Sequence, residues 1–311
     1  MDERANVGSW ADNKAVSATG VEPTAQLGFE GMPRRLYSCT PSRINSWLDC
    51  PRRYRMSYLD RPMPAKGAPW AHNSLGAAVH NALAGWWRLA RAKRTPEAAG
   101  ALLESGWIGD GFRDDEQAAV WRVRAREMVR QYAESLDPYD EPIGVERTVA
   151  ATTPTLAMSG RIDRLDERVL GDHTELVVVD YKTGRRVPAD DEARGSLALA
   201  IYASAAARTL RKICRRVELH HVPTGTVAAF EHTTESLQRQ VGRVELAAQE
   251  AQLADAAYAE AVATGSVDEV FPPRPSPQCG WCDFRRHCPE GQTAAQERRS
   301  WDGLASEGDW S

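Results

Sequence analysis

The chain has 311 residues, 42% hydrophobic and 26% charged, which suits one or two globular domains with a sizeable core. No apolar run approaches the ~20 residues of a membrane-spanning helix, and the opening MDERANVGSW has no apolar stretch of the signal-peptide kind, so the expectation is a cytoplasmic protein without a membrane partner. A formal net charge of −4 exerts no global pull on nucleic acid, and an excess of 34 Arg over 5 Lys fits a GC-rich genome, which leaves each Lys informative.

Residues 1–33 are polar and aperiodic and read as a disordered lead. In TPSRINSWLDCPRRYRMSYLDRP, Thr40 or Ser42 caps a helix opened by Pro41, and Pro62, Pro64, Gly67 and Pro69 mark a loop. Helical spacing returns over 74–92 (Leu75, Val79, Leu83, Trp86, Leu89) and over 114–135, where Val120, Val123, Met128, Val129 and Tyr132 form the apolar set. Then come short β-rich runs at 143–150, 156–162 and 174–181, with Asp166-Glu167 and Gly171-Asp172 as turn candidates. An Ala-rich helix is expected over 196–210, a hairpin about Thr224-Gly225, and a long helix over 235–264. A Pro- and Cys-rich segment follows, and residues 291–311 read as a disordered tail, leaving 34–290 as one domain. The expected architecture is α/β: a central mixed sheet of about five strands flanked by helices.

The chemistry concentrates in GRIDRLDERVLGDHTELVVVDYKTG. Asp180 and Lys182 lie two apart at the end of a strand and share one face. An antiparallel hairpin would bring Asp163 close to Asp180. Carboxylates gathered beside a Lys suit a hard divalent cation such as Mg²⁺ or Mn²⁺, with the Lys orienting a water or steadying developing charge. Taken alone, Asp-x-Lys is more often a surface ion pair worth at most ~1 kcal/mol.

Gly160-Arg161-Ile162-Asp163-Arg164-Leu165-Asp166, followed by Asp180-Tyr181-Lys182-Thr183-Gly184, resembles the core of the PD-(D/E)xK nucleases, and within them the RecB-family exonucleases, including AddB-type and CRISPR-associated members. The resemblance spans about residues 36–290. It implies a restriction-endonuclease-like core and metal-dependent hydrolysis of DNA, on single strands or ends, in repair or recombination. It also implies His80, Asp163, Asp180 and the Tyr181 carbonyl as metal ligands, with Lys182, Asp180, Asp163 and Glu146 catalytic. The family usually carries Gln-x-x-x-Tyr on the next helix; here Tyr202 is present, but Ala198 stands at the Gln position. Other readings are a nuclease subunit beside a helicase, repair or CRISPR partner, and a catalytically weak DNA-end-binding module.

Cys279, Cys282 and Cys288 offer three thiols from one loop, and Cys50 in a Cys-Pro-x-x-Tyr context is the upstream candidate for a fourth. This pattern resembles the iron–sulfur staple of the same nucleases and implies a [4Fe–4S] cluster, with Zn²⁺ as the alternative. Cys39 and Cys214 read as core cysteines. Arg52, Arg53, Tyr54, Arg185 and Tyr202 are candidate DNA contacts, Arg for phosphate and Tyr for unpaired bases.

Overall fold

A computed structural model describes residues 36–170 and 173–306. The expected lead at 1–33, the Gly171-Asp172 turn and the last five residues lie outside the described residues.

Chain order begins with β1 (Tyr37–Cys39), α1 (Pro41–Asp49) and α2 (Pro51–Tyr58). Thr40 caps α1 by accepting the Arg43 N–H, and Pro41 takes the first helical position, where no amide donor is needed. Then follow α3 (Ala71–Trp87), α4 (Pro96–Ser105) and α5 (Asp115–Glu134), the last capped by Asp114. In α5 the buried stripe is Trp121, Ala125, Met128, Val129, Tyr132 and Ala133. Val120 and Val123, expected inside, are 46% and 63% exposed, because packing against α3 and α4 selects the face that carries Trp121 and two small alanines.

Six strands form one sheet, completed by β2 (Gly144–Thr152), β3 (Leu156–Leu170), β4 (His173–Lys182), β5 (Cys214–His221) and β6 (Thr226–Glu231). Helices α6 (Asp190–Gly195) and α7 (Leu197–Leu210) make the crossover from β4 to the parallel β5. The β5–β6 hairpin turns at Gly225, whose φ of 68° is free for glycine. The chain then runs through α8 (Thr234–Thr264), α9 (Val267–Val270) and α10 (Pro289–Ala294).

Strand β3 is twice as long as its sequence reading. Asp166-Glu167 is no turn; these residues pair with Val177 and Leu176, and Arg164 and Arg168 grip the Asp166 carboxylate from either side on the strand. Each face of β4 is covered. Leu176 and Val178 join the core under α1, α7 and α8, whereas Val177, Val179 and Tyr181 join the core formed by α3, α4 and α5. That double burial is why TELVVVDY is a continuous apolar run. Beyond α10, in the segment expected to be tail, Leu304 and Ala305 are buried against the second core and the Ser300 carbonyl accepts the Ala71 N–H. No helix among the described residues is long and apolar enough to cross a membrane.

Candidate active site

The sheet forks at the motif. Strand β2 runs beside β3 over 157–165, while β1 pairs with 156–158 and β4 with 164–170. Residues 157, 158, 164 and 165 each have partners on both sides, so β1 and β4 occupy the same edge of β3, opposite β2. Between them that edge opens at residues 159–163, and β4 leaves the ladder just before Asp180. The Tyr181 N–H, which a regular ladder would have satisfied, donates instead to the Asp163 carboxylate at 2.9 Å. One carboxylate therefore both holds the fork open and faces it.

Extrapolating the two registers sets Glu146 opposite Asp163, and Asp163 opposite Asp180, so three adjacent strands each deliver an acid at one level. Glu146 adopts φ 50°, a left-handed conformation uncommon for a side chain of its size, and it alone is skipped while Val145 and Arg147 keep their partners. Such strain, roughly 1–3 kcal/mol, persists where surrounding structure overdetermines it, commonly at functional sites. Arg161, an exposed side chain, reaches the Glu146 carboxylate at 2.8 Å.

Helix α3 closes the fork. His80 Nδ1 stands 3.3 Å from Asp163, and its Nε2 stands 3.1 Å from the Tyr181 carbonyl. The close approach of α3 uses Gly76, where a Cβ would come within 3.3 Å of the Thr183 hydroxyl. His80, Glu146 and Asp163 each offer an atom within 4.8 Å of the others, a geometry able to hold a metal ion. Lys182 and Asp180 pair at 2.5 Å.

The electrostatics run in one direction. Burial raises the Asp180 pKa, the neighbouring Asp163 carboxylate adds to this, and Lys182 only partly offsets it. Burial lowers the His80 pKa, but Asp163, Asp180 and Glu146 more than reverse it, so the imidazole sits above its ordinary value. Burial and the same acids push the Tyr202 hydroxyl up to about 12. The site is short of positive charge and would gain from a cation. Two carboxylates, an imidazole and a backbone carbonyl are hard-to-borderline donors that fit a divalent ion.

Tyr202 lies over β3 because residue 160 has no side chain: a Cβ there would sit 2.4 Å from the ring. Ala198, one turn earlier on α7, leaves that part of the helix without a polar group. Sequence reasoning missed two supporting residues. Arg161 holds Glu146 from within the motif, and His221 donates from Nε2 to the Gly184 carbonyl (2.8 Å) while its Nδ1 meets the Thr224 hydroxyl (2.8 Å), anchoring the loop after Lys182. The visible signal was a His-His pair ending a strand, and its parallel register opposite Lys182 is fixed only by the fold.

The candidate DNA contacts divide. Arg53 and Arg185 are surface residues, and Tyr202 borders the site. Arg52 and Tyr54, expected on a DNA-facing surface, are instead buried. Arg52 is 6% exposed and tied to Glu290 and Asp268; Tyr54 is fully buried and bonded to Tyr37, Arg43 and Asp255. Helix α2 turns that face inward to join the chain ends.

Cys50, Cys279, Cys282 and Cys288 line one cavity although the first lies more than 200 residues from the others. Three of the sulfurs receive a backbone N–H: Cys50 from Arg274, Cys279 from Ser276 and Cys288 from Gly291. Gly291 is packed so that a Cβ would lie 3.4 Å from the Cys288 sulfur and 3.6 Å from that of Cys279. Amide donors converging on thiols suit thiolates bound to a metal. Cys39 and Cys214 are buried thiols, pushed by burial up to about 11 and about 12.

The chain matches the PD-(D/E)XK nuclease superfamily over residues 38–289. No curated protein matches it. Among solved structures, one described as a "Putative exonuclease" from Eubacterium rectale aligns with a TM-score of 0.47 at 11% identity, covering 81% of this chain and 88% of that one.

Proposed function

The chain belongs to the PD-(D/E)XK nuclease superfamily, and on that premise we propose that it is a divalent-metal-dependent DNA exonuclease of the RecB type, acting on single strands or DNA ends in repair or recombination. The observation that carries this reading is the fork in the sheet, where Glu146, Asp163 and Asp180 stand at one level with His80 above and Lys182 beside them.

His80, Asp163, Asp180 and the Tyr181 carbonyl would hold Mg²⁺ or Mn²⁺, and Glu146 faces the same space. Such an ion supplies Lewis-acid polarisation of a phosphodiester and a more acidic water. The protein's own groups do the positioning. Asp163 is locked by the Tyr181 N–H, and His80 by its contacts at both ring nitrogens. Lys182 carries a cationic ammonium on the same strand face as Asp180, placed to orient a water or to stabilise charge on the phosphate oxygens. With no G-x-x-x-x-G-K-[ST] motif, this chain does not contribute a P-loop motor.

The four cysteines are assigned to a [4Fe–4S] staple, with Zn²⁺ as the alternative that metal analysis and visible absorbance would reveal. Their support is convergence on one cavity and an amide donor at three of the four sulfurs. The staple joins α2 to the C-terminal loop, a stabilising role. Ala198 favours a second reading, a weakly catalytic DNA-end-binding module.

End-labelled single-stranded DNA, incubated with anaerobically purified protein and Mg²⁺ or Mn²⁺, tests the reading. Metal-dependent cleavage should disappear with EDTA and fall by about 10²–10³-fold in Lys182→Ala and Asp180→Ala. DNA binding without cleavage by cluster-loaded protein would move the assignment to the binding module.

A further inference from the structure

We propose a second site on this protein: a pocket for one unpaired nucleobase at the start of α3, which holds the strand in register with the fork. It rests on the reading that the chain acts on single-stranded DNA. The pocket is a cavity of about 400 Å³ between the first turn of α3 and the cysteine loop. That volume lies within the roughly 300–1,000 Å³ range of small-ligand pockets. It is lined by three rings, Trp70, His72 and Trp281, by the polar side chains of Asn73, Gln278 and Arg53, and by the carboxylates of Asp49 and Asp283, which are engaged by Arg53 and by the Trp70 indole respectively.

The walls are fixed independently of any ligand. The Trp70 indole N–H donates to Asp283 at 2.8 Å. His72 packs against Gly303, where a Cβ would fall 2.3 Å from its Nδ1, so a side chain at 303 would push the ring aside. Arg298 covers Trp281 at 5.7 Å from the ring centroid. Trp70 and Trp281 stand 5.2 Å apart at 58°, and His72 meets Trp281 edge-on at 5.6 Å. A flat heterocycle can stack on one indole with a second ring at its edge, the arrangement aromatic groups prefer. Both indoles are only half-buried although the chain has ample core to enclose them. Burial lowers the His72 pKa.

The rim matches the occupant. Side-chain amides of Asn73 and Gln278 each offer donors and an acceptor, which is what a base edge requires. Arg53 supplies a cation for the adjoining phosphate, with Asp49 at 3.4 Å as its present partner.

Helix geometry links the pocket to the fork. Asn73 and His80 are seven residues apart on α3, which returns them to one face about 10 Å apart along the axis. A strand advances roughly 3.4 Å per nucleotide when stacked and about twice that when extended. The pocket therefore receives a base one to three nucleotides from the bond at the fork.

The test uses full-length Lys182→Ala protein in EDTA and a labelled single strand carrying one abasic position, moved a nucleotide at a time. One position within about three nucleotides of the bond cleaved by the active enzyme should weaken binding about tenfold, the effect of losing one stacked base. 2-Aminopurine at that position should be quenched. Trp281→Ala and Trp70→Ala, each added separately, should weaken the intact strand to the same extent and abolish the position-specific penalty, and Trp281→Phe should retain it. Trp70 lies outside the cysteine loop but its indole bonds Asp283 beside Cys282, so metal content, measured for each variant, separates base stacking from damage to the metal site. A uniform penalty along the strand, or a specific one that survives both alanine variants, overturns the pocket while leaving the nuclease intact. Failure of the unmodified protein to bind or cleave single strands overturns both.

Discussion

Replacing Gly160 by alanine places a methyl group 2.4 Å from Tyr202 Cε1 and 3.0 Å from Cδ1, where carbon atoms ordinarily meet at about 3.5–4.0 Å. The ring must move by more than 1 Å. It has little freedom to do so, because Ile201 and Ala203 on either side are fully buried and fix α7 against the sheet. Residue 160 is in ordinary strand conformation, so no backbone penalty enters and the cost is steric. Overpacking of this kind costs about 1–3 kcal/mol, which for a domain of this size lowers Tm by roughly 2–10 °C. Urea unfolding of Gly160→Ala, Tyr202→Ala and the double variant isolates the contact. The alanine should be destabilising beside Tyr202 and neutral or slightly stabilising once the ring is gone, a coupling well above the ~0.5 kcal/mol scatter of independent sites. Cleavage should fall in Gly160→Ala, since the ring borders the acids. Equal costs in both backgrounds would mean that Tyr202 is not what excludes a side chain at 160.

Glu146 should invert the usual strand order: Glu146→Gly is expected to be more stable than Glu146→Ala by about 1 kcal/mol, because φ 50° suits glycine, and thermal melts would read the difference. Glu218 is 2% exposed; burial alone would raise its pKa, but hydrogen bonds from His220, Arg168 and Arg216 hold it far below the carboxylate range. A depressed folded pKa gives stability that is present above the unfolded value, roughly 4.3, and lost as pH falls further. Denaturation from pH 7 to 3 should show this loss, diminished in Glu218→Gln, which itself should cost only about 1–3 kcal/mol because Arg168 keeps Asp166 and both guanidiniums reach solvent. Cys50→Ser should lower metal content and Tm together, whereas Cys39→Ser, in the core, should lower Tm with metal content retained, as metal analysis beside a melt would show.

Local pattern was enough for several parts of this molecule. Thr40-Pro41 opens a helix, Asp114 caps another, and the run from Leu176 to Val179 is a strand buried on both faces. Asp163, Asp180 and Lys182 stood out by pattern, as charge at the end of an apolar strand that serves no packing purpose. Other expectations failed where a neighbour decided. Arg52 and Tyr54 look like a basic-aromatic surface until Glu290, Asp268 and Asp255 arrive from the far end of the chain and turn them inward. Asp166-Glu167 resembles a turn until Arg164 and Arg168 pair with its acid along a continuing strand. Composition and periodicity thus determined the α/β class, the apolar strand and the cluster of charge at its end, since these depend on side chains near in sequence. The expected hairpin already brings Asp163 near Asp180, but tertiary structure alone decided the fork, the alignment of Glu146 with that pair, and the approach of His80. Those depend on strand register and on α3 crossing the open edge, which are set by packing between segments distant in the chain.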